Sequence, residues 1–327
     1  AGLATGDYQT PMKDDLLWVY EGLTEYLGYV LAARSGSEEG DEVMQDLAYA
    51  IDAVELNGGR SWRSLEDTAV AAQLLYGAPA QWTSARRSVD YYDESVLLWL
   101  DVDMHIRQLS GGKKSIDDFC RAFHGGHDGQ AALSPYGFDD VVQALNAVVP
   151  YDWAALLRAK VSTPLAHVSL DGLNAAGWTL GTTDDEPTFI KTREGERKIV
   201  DVRYSLGFIV GADDMVVLDV LPNSPAWNAG MAPGMKLVGV GGRKYNKDVL
   251  EDLLKASKNK KAPPIDVLLE NGEFYRELHI DYHGGPRWPA LVRVPGKPDV
   301  LHEILAPKTP HAARTKDAKD AKDAKKP

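Results

Sequence analysis

Leu17-Trp18-Val19-Tyr20-Glu21-Gly22-Leu23-Thr24-Glu25-Tyr26 combines helical spacing of apolar residues with two acids. Around it Leu16, Val19, Tyr20, Leu23, Leu27 and Val30 recur at three- and four-residue spacing, which predicts one face of a helix. Asp14 and Asp15 precede the run and are expected to serve as its cap and first-turn anions. Glu21 and Glu25 stand four apart, so a helix places them on one face, one turn apart. Two like charges there repel unless a cation or hydrogen-bond donors sit between them. Two readings therefore stand open: a solvated acidic face, the usual fate of charged residues, or a carboxylate pair that serves a positive group.

Working outward, residues 1–160 carry helical patterning. Helices are expected over Glu42–Glu55, Leu65–Leu75, Tyr92–Leu109, Ser115–Phe123, Phe138–Val148 and Trp153–Lys160, several ending at glycine-rich stops such as Asn57-Gly58-Gly59 and Ser110-Gly111-Gly112. After Thr163-Pro164 the composition changes. Gly177-Trp178-Thr179-Leu180 and Phe189-Ile190-Lys191 are short strand candidates. From Tyr204 short apolar or alternating runs between turn signals predict strands at Ile209–Val210, Val216–Val220, Lys236–Val240, Ile265–Glu270 and Tyr275–Ile280. One helix, Asp248–Ala256, interrupts them, and Asn271-Gly272 is a hairpin signal between the last two. The end is low-complexity Lys-Asp-Ala, read as a solvated, disordered tail.

The length of 327 residues favours more than one hydrophobic core. Hydrophobic content of 44% and charged content of 26% are those of a globular protein. A net charge of −12 opposes non-specific binding to nucleic acid or anionic membrane. No apolar run approaches the roughly 18 residues of a membrane span. The lone cysteine, Cys120, excludes an internal disulfide and reads as a small core residue. The chain opens Ala1-Gly2-Leu3, without Met or a signal pattern, and reads as processed or truncated.

Trp18-x-x-Glu21-Gly22-x-x-x-Tyr26 resembles the third-ligand helix of gluzincin metallopeptidases, in which an H-E-x-x-H helix supplies two histidines and a later helix a glutamate. More narrowly, Leu17–Gly28 is similar to the glycyl aminopeptidase family, which joins a thermolysin-like catalytic domain to a PDZ domain. That resemblance implies Glu21 as a Zn²⁺ ligand and Glu25 as the group that orients a ligand histidine. At Tyr91-Tyr92-Asp93-Glu94-Ser95, related aminopeptidases carry Tyr-x-Lys-Gly at a helix start, and their tyrosine donates to the oxyanion of the tetrahedral intermediate. Tyr92 matches that tyrosine, with Tyr91 as the fallback. Glu94 and Ser95 stand in place of Lys and Gly, and packing of two aromatics at a helix start is the equal alternative.

Ser205-Leu206-Gly207-Phe208 resembles the carboxylate-binding loop of PDZ domains, where consecutive backbone N–H groups take a terminal carboxylate and the next strand edge pairs with an extended peptide. Val220–Ala226, Ala229-Gly230-Met231 and Gly234–Val240 fit the strands and turns of the same module, and Asp248–Ala256 the helix walling its groove. A spacer role and peptide capture stay open for it. Tyr282–Arg287 and Pro298–Leu305 resemble the family's tail, so the likeness runs from about Leu17 to about Pro307.

None of the eight histidines stands in H-E-x-x-H: His302-Glu303 begins the pattern, but Ala306 occupies the second histidine position. His124 and His127 are three apart, across two glycines. The resemblance then implies a cut between the two ligand helices, just upstream of Ala1. The expected fold class is multidomain α+β: a helical C-terminal half of a thermolysin-like catalytic domain over 1–162, linker and short strands over 163–198, a PDZ-like β-rich domain over 199–283, a C-terminal extension over 284–308 and a tail over 309–327. The expected function is the C-terminal part of a zinc aminopeptidase cleaving Gly or Ala from peptide substrates, exported or periplasmic in a bacterium by resemblance. The alternative is a PDZ-type binder of C-terminal peptides or a structural module.

Overall fold

The computed structural model describes residues 3–79, 81–125, 129 and 133–309. The chain begins with helices α1 (Leu17–Arg34) and α2 (Gly40–Glu55), then the short α3 (Leu65–Val70), α4 (Ala72–Leu75) and α5 (Thr83–Arg86). Next come α6 (Asp93–Leu109), α7 (Ile116–His124), α8 (Phe138–Val148), α9 (Trp153–Val161) and α10 (Asp171–Ala175). A first strand β1 (Trp178–Thr183) and helix α11 (Thr188–Arg197) lead into β2 (Ile199–Asp201), β3 (Phe208–Gly211) and β4 (Val217–Val220). The rest is α12 (Pro225–Asn228), β5 (Lys236–Val240), β6 (Arg243–Lys244), α13 (Lys247–Ala256), β7 (Ile265–Asn271), β8 (Phe274–Ile280), β9 (Trp288–Arg293) and α14 (Val300–Leu305).

Two hydrophobic cores result. In the first, α1 buries Trp18, Leu23, Tyr26 and Val30 against α6, which is buried along most of its length. Trp18 stacks on Trp99 at 6.3 Å, and the Trp99 indole N–H donates to the Trp18 carbonyl at 2.9 Å. Gly22 is the residue that lets the two helices approach: a Cβ there would lie 2.2 Å from the Ser95 Cβ. Buried Asp103 on α6 ties three helices together, accepting from the Tyr26 hydroxyl at 3.1 Å and from the Ile116 N–H at 2.8 Å, and pairing with Arg107. The second core gathers β2–β5, β7, the end of β8 and the Leu250/Leu254 face of α13.

The connection between the cores is a pair of strands. β1 and β9 run antiparallel with Trp178 opposite Arg293 and Thr183 opposite Trp288. The chain therefore leaves the helical body along one strand and returns along its neighbour. Leu301, Ile304 and Leu305 of α14 then join the first core, and Arg34 donates to the Ile304 carbonyl at 2.8 Å. Between these strands lie two further antiparallel sheets, ordered β2-β3-β4 and β6-β5-β7-β8. The two-residue turn after Asn271 joins β7 to β8, with Gly272 at φ +62° as that hairpin requires. The whole is a mixed α/β fold of helices and several antiparallel sheets.

Four local expectations change. Phe189-Ile190-Lys191 lies in helix α11, because Ile190 and Glu194, one turn apart, bury together while Phe189 packs edge-on to Tyr49 at 5.9 Å. Leu65–Leu75 breaks at Ala71 into α3 and α4. Tyr92 precedes α6 as its N-cap instead of lying within it. Asp14 is buried and meets α1 through its carbonyl, which accepts from the Leu17 N–H at 3.0 Å, and no side chain caps that helix. The disordered-tail expectation falls on residues 310–327, outside the described residues, as does His127.

Candidate active site

The packing of α1 on α6 determines what faces outward beside it. With Trp18 and Gly22 turned into the core, Tyr20 and Glu21 of α1 face a pocket of about 550 Å³. Tyr91 and Tyr92, at the head of α6, and Tyr76, at the end of α4, close its other side. Tyr92 and Glu21 line the same pocket, and the Tyr92 hydroxyl lies 2.8 Å from that of Tyr76. The Tyr91 and Tyr92 rings are 4.7 Å apart. Burial raises the Tyr92 phenol well above its ordinary range, and the Tyr76 hydrogen bond and the Glu21 charge push it further the same way. Tyr92 therefore keeps its proton through the neutral range and remains a hydrogen-bond donor. A protonated phenol at the wall of a pocket can donate to an oxyanion that forms there.

The structure brings Glu21 and Tyr92 together and separates Glu25 from them. One turn along α1, Glu25 faces a second cleft of about 420 Å³ between the helical body and the strand-rich unit. Asp46 and Asp93 line the same cleft, with Arg193 and Arg197 of α11 among its other walls. Burial raises the Glu25 carboxyl; the Arg193 charge opposes this and the Glu21 charge adds to it. Burial likewise pushes Asp46 up to about 6 and Asp93 up to about 7.

Glu94, standing where related aminopeptidases carry lysine, is buried and bound by two arginines. Arg60 reaches its carboxylate with two nitrogens at 2.8 and 3.1 Å, and Arg87 makes a further ion pair with it. Arg87 also pairs with Asp90 at 2.8 Å. The position thus anchors the head of α6, and it lies outside the tyrosine pocket. Ser95, in the glycine position, is the residue against Gly22.

Among the described residues no group of three His, Cys, Asp or Glu is placed to hold a metal ion. Among the described residues no histidine lines the Glu21 pocket. His105, His167, His279, His283 and His302 each pair with a carboxylate elsewhere, and His124 is exposed. Burial pushes the Cys120 thiol up to about 11, which leaves it unreactive as a nucleophile.

In the loop Ser205-Leu206-Gly207-Phe208, Leu206 and Phe208 are core residues. The Ser205, Leu206 and Gly207 N–H groups all donate to the Val202 carbonyl, at 3.2, 2.9 and 3.0 Å. The Ser205 hydroxyl accepts from the Arg287 N–H at 3.0 Å. Sequence reasoning did not find Tyr76: an exposed aromatic after Leu74-Leu75 carries no signal until the fold sets it against Tyr92.

Residues 1–98 match the family model described as M61 glycyl aminopeptidase. No curated protein matches the chain. Among solved structures, an aminopeptidase N family protein from Idiomarina loihiensis is similar, with a TM-score of 0.66 at 18% identity, over 92% of this chain and 50% of that one. At that identity the likeness is one of fold. The chain spans about half the length of that protein.

Proposed function

We propose, from the match of residues 1–98 to the glycyl aminopeptidase family model, that this chain is the C-terminal part of a zinc-dependent aminopeptidase that removes Gly or Ala from peptides. The observation that carries the reading is that Glu21 and Tyr92 line one pocket, and both residues lie within the matched segment. The family match supports peptidase chemistry and a peptide substrate; the metal, the residue preference and the roles of single residues extend the proposal.

Catalytic zinc sites use three protein ligands. Glu21 is one carboxylate, so the described residues do not by themselves hold the ion. In the complete protein Glu21 is one ligand and the histidines come from elsewhere, consistent with a chain covering half of its solved relative. Tyr92 stays protonated and donates to the oxygen that gains charge at the scissile carbonyl. Glu25, held half-buried one turn from Glu21, orients a ligand histidine by accepting its second N–H. The strand-rich unit is a PDZ-like module of the same protein, and no helix of the described residues is long and apolar enough to cross a membrane.

The test is hydrolysis of glycyl and alanyl anilides by the complete protein. The expected results are activity lost to a chelator and restored by zinc, and no turnover by Glu21→Ala. Full activity in Glu21→Ala contradicts the assignment.

A further inference from the structure

β3 and β4 form a hairpin whose outer edge, on the β3 side, is open to one more strand, and the chain fills that edge itself. β2 runs antiparallel to β3, with Val200 opposite Val210 and Asp201 opposite Ile209. The pairing continues past β2: the Val202 N–H donates to the Phe208 carbonyl at 3.1 Å. The Val202 carbonyl oxygen then sits where three N–H groups converge, those of Ser205, Leu206 and Gly207. Gly207 at φ +90° shapes this turn, and a Cβ there would lie 2.0 Å from the Ser224 Cβ. Consecutive N–H groups aimed at one point make a site for a carboxylate oxygen.

The side chains complete the pattern. Val200 and Val202 are buried in one core with Leu250 and Leu254 of α13, while Asp201 between them points elsewhere and pairs with Arg203 at 2.7 Å. A space of about 360 Å³ remains beside the segment, bounded by Val200, Val202, Ser205, Leu250 and Leu254. Glu194 of α11 fastens the segment from outside: it accepts from the Asp201 N–H at 2.7 Å and from Lys247, at the start of α13, at 2.6 Å.

Edge pairing, apolar seats for alternate side chains and an oxygen held by loop amides are together the way a sheet captures an extended peptide by its C-terminus. We propose, resting on the PDZ-like reading of the strand-rich unit, that Ile199–Val202 is a built-in ligand on the β3 edge, facing α13 across that space, in a groove built for an extended aliphatic-x-aliphatic C-terminal peptide. The groove takes such a peptide from another molecule only when this segment lifts out. Affinity for an outside peptide is then lowered by the fraction of molecules in which the groove is open.

The experiment measures binding of a fluorescent peptide ending in Ile-Val-Asp-Val, with a free carboxylate or as the amide, to the full chain. Glu194→Ala removes the outer fastening without touching the groove amides, and Val202→Ala shrinks the buried anchor. Amide exchange across the β7–β8 hairpin verifies that each variant keeps its fold. The expected result is at least about tenfold tighter binding of the free-carboxylate peptide by the variants than by the parent chain, with no gain for the amide. Parent binding as tight as that of both variants, or no gain in either folded variant, overturns the proposal.

Discussion

Glu21 and Tyr92 come from different helices and meet because the residues beside them are committed to packing. Trp18 and Gly22 turn into the α1–α6 contact, which leaves Glu21 facing the pocket, and Tyr92 caps the opposing helix. If Tyr92 is the oxyanion donor, Tyr92→Phe in the complete protein lowers kcat by about 10²–10³ with little change in KM, the size of effect seen on removing one such donor. Steady-state kinetics on a glycyl anilide measure this split, and an effect confined to KM would assign Tyr92 to ground-state binding. Glu94 has the opposite character. It is buried between Arg60 and Arg87, so Glu94→Ala leaves two guanidinium groups without their shared partner. The expected loss is about 3–5 kcal/mol, the cost of breaking a buried ion pair by removing one side, read from denaturant unfolding. The sequence marked this position as a departure from the family's pattern; only the fold reveals the arginines, which lie 34 and 7 residues away.

Among the elements, long amphipathic helices were the most legible. α2, α6, α7, α8 and α9 fall within a few residues of the periodicity that predicts them. The errors lie where local pattern and tertiary demand diverge. Phe189-Ile190-Lys191 has strand-forming residues, but the helix buries Ile190 with Glu194 and lets Glu194 hold both Asp201 and Lys247. The α1–α6 contact offers an element-scale test. Gly22→Ala forces a methyl group against Ser95, with an expected cost of about 1–3 kcal/mol from overpacking. Ser95→Gly added to that variant recovers part of the loss, although glycine inside a helix itself costs about 1 kcal/mol relative to alanine. A double-mutant cycle measures the coupling, and strict additivity would show that the two helices have room to separate. The pairing of β2 with β3 was not legible: Val200 and Val202 are ordinary strand residues until the register sets Val200 opposite Val210 and the Val202 N–H on the Phe208 carbonyl.

For the whole molecule, the seam between the two cores carries the unusual electrostatics. The buried Asp219 carboxylate accepts from the Ser84 N–H and hydroxyl, both at 2.9 Å, across that seam, and Arg197 donates to the Tyr49 hydroxyl at 3.3 Å. In the adjoining cleft burial pushes Asp46 up to about 6 and Asp93 up to about 7, and on α2 it pushes Asp52 up to about 7. A carboxyl whose folded pKa lies above its unfolded value binds its proton more tightly when folded. Its contribution to stability is therefore complete below about pH 4 and lost as pH rises through about 7. Thermal unfolding is expected to show Tm falling between pH 5 and pH 8, with Asp93→Asn flattening that slope. A Tm that rises across the window would mean these groups are ionised and paired in the fold. Beyond the chain's own chemistry, the order of patterns along the sequence made a mixed fold of helices followed by antiparallel sheets legible. The return of α14 to the first core through β9 was not, because short apolar runs do not announce their partners.

The proposed role of Glu21 as a metal ligand is tested by elemental analysis of the longest native polypeptide containing this sequence, beside its Glu21→Ala variant. About one zinc per chain is expected in the parent, as a catalytic site holds, and its loss in the variant with the fold intact by circular dichroism. Zinc retained at parental stoichiometry in Glu21→Ala, or absent from the parent despite an intact H-E-x-x-H segment, would contradict it.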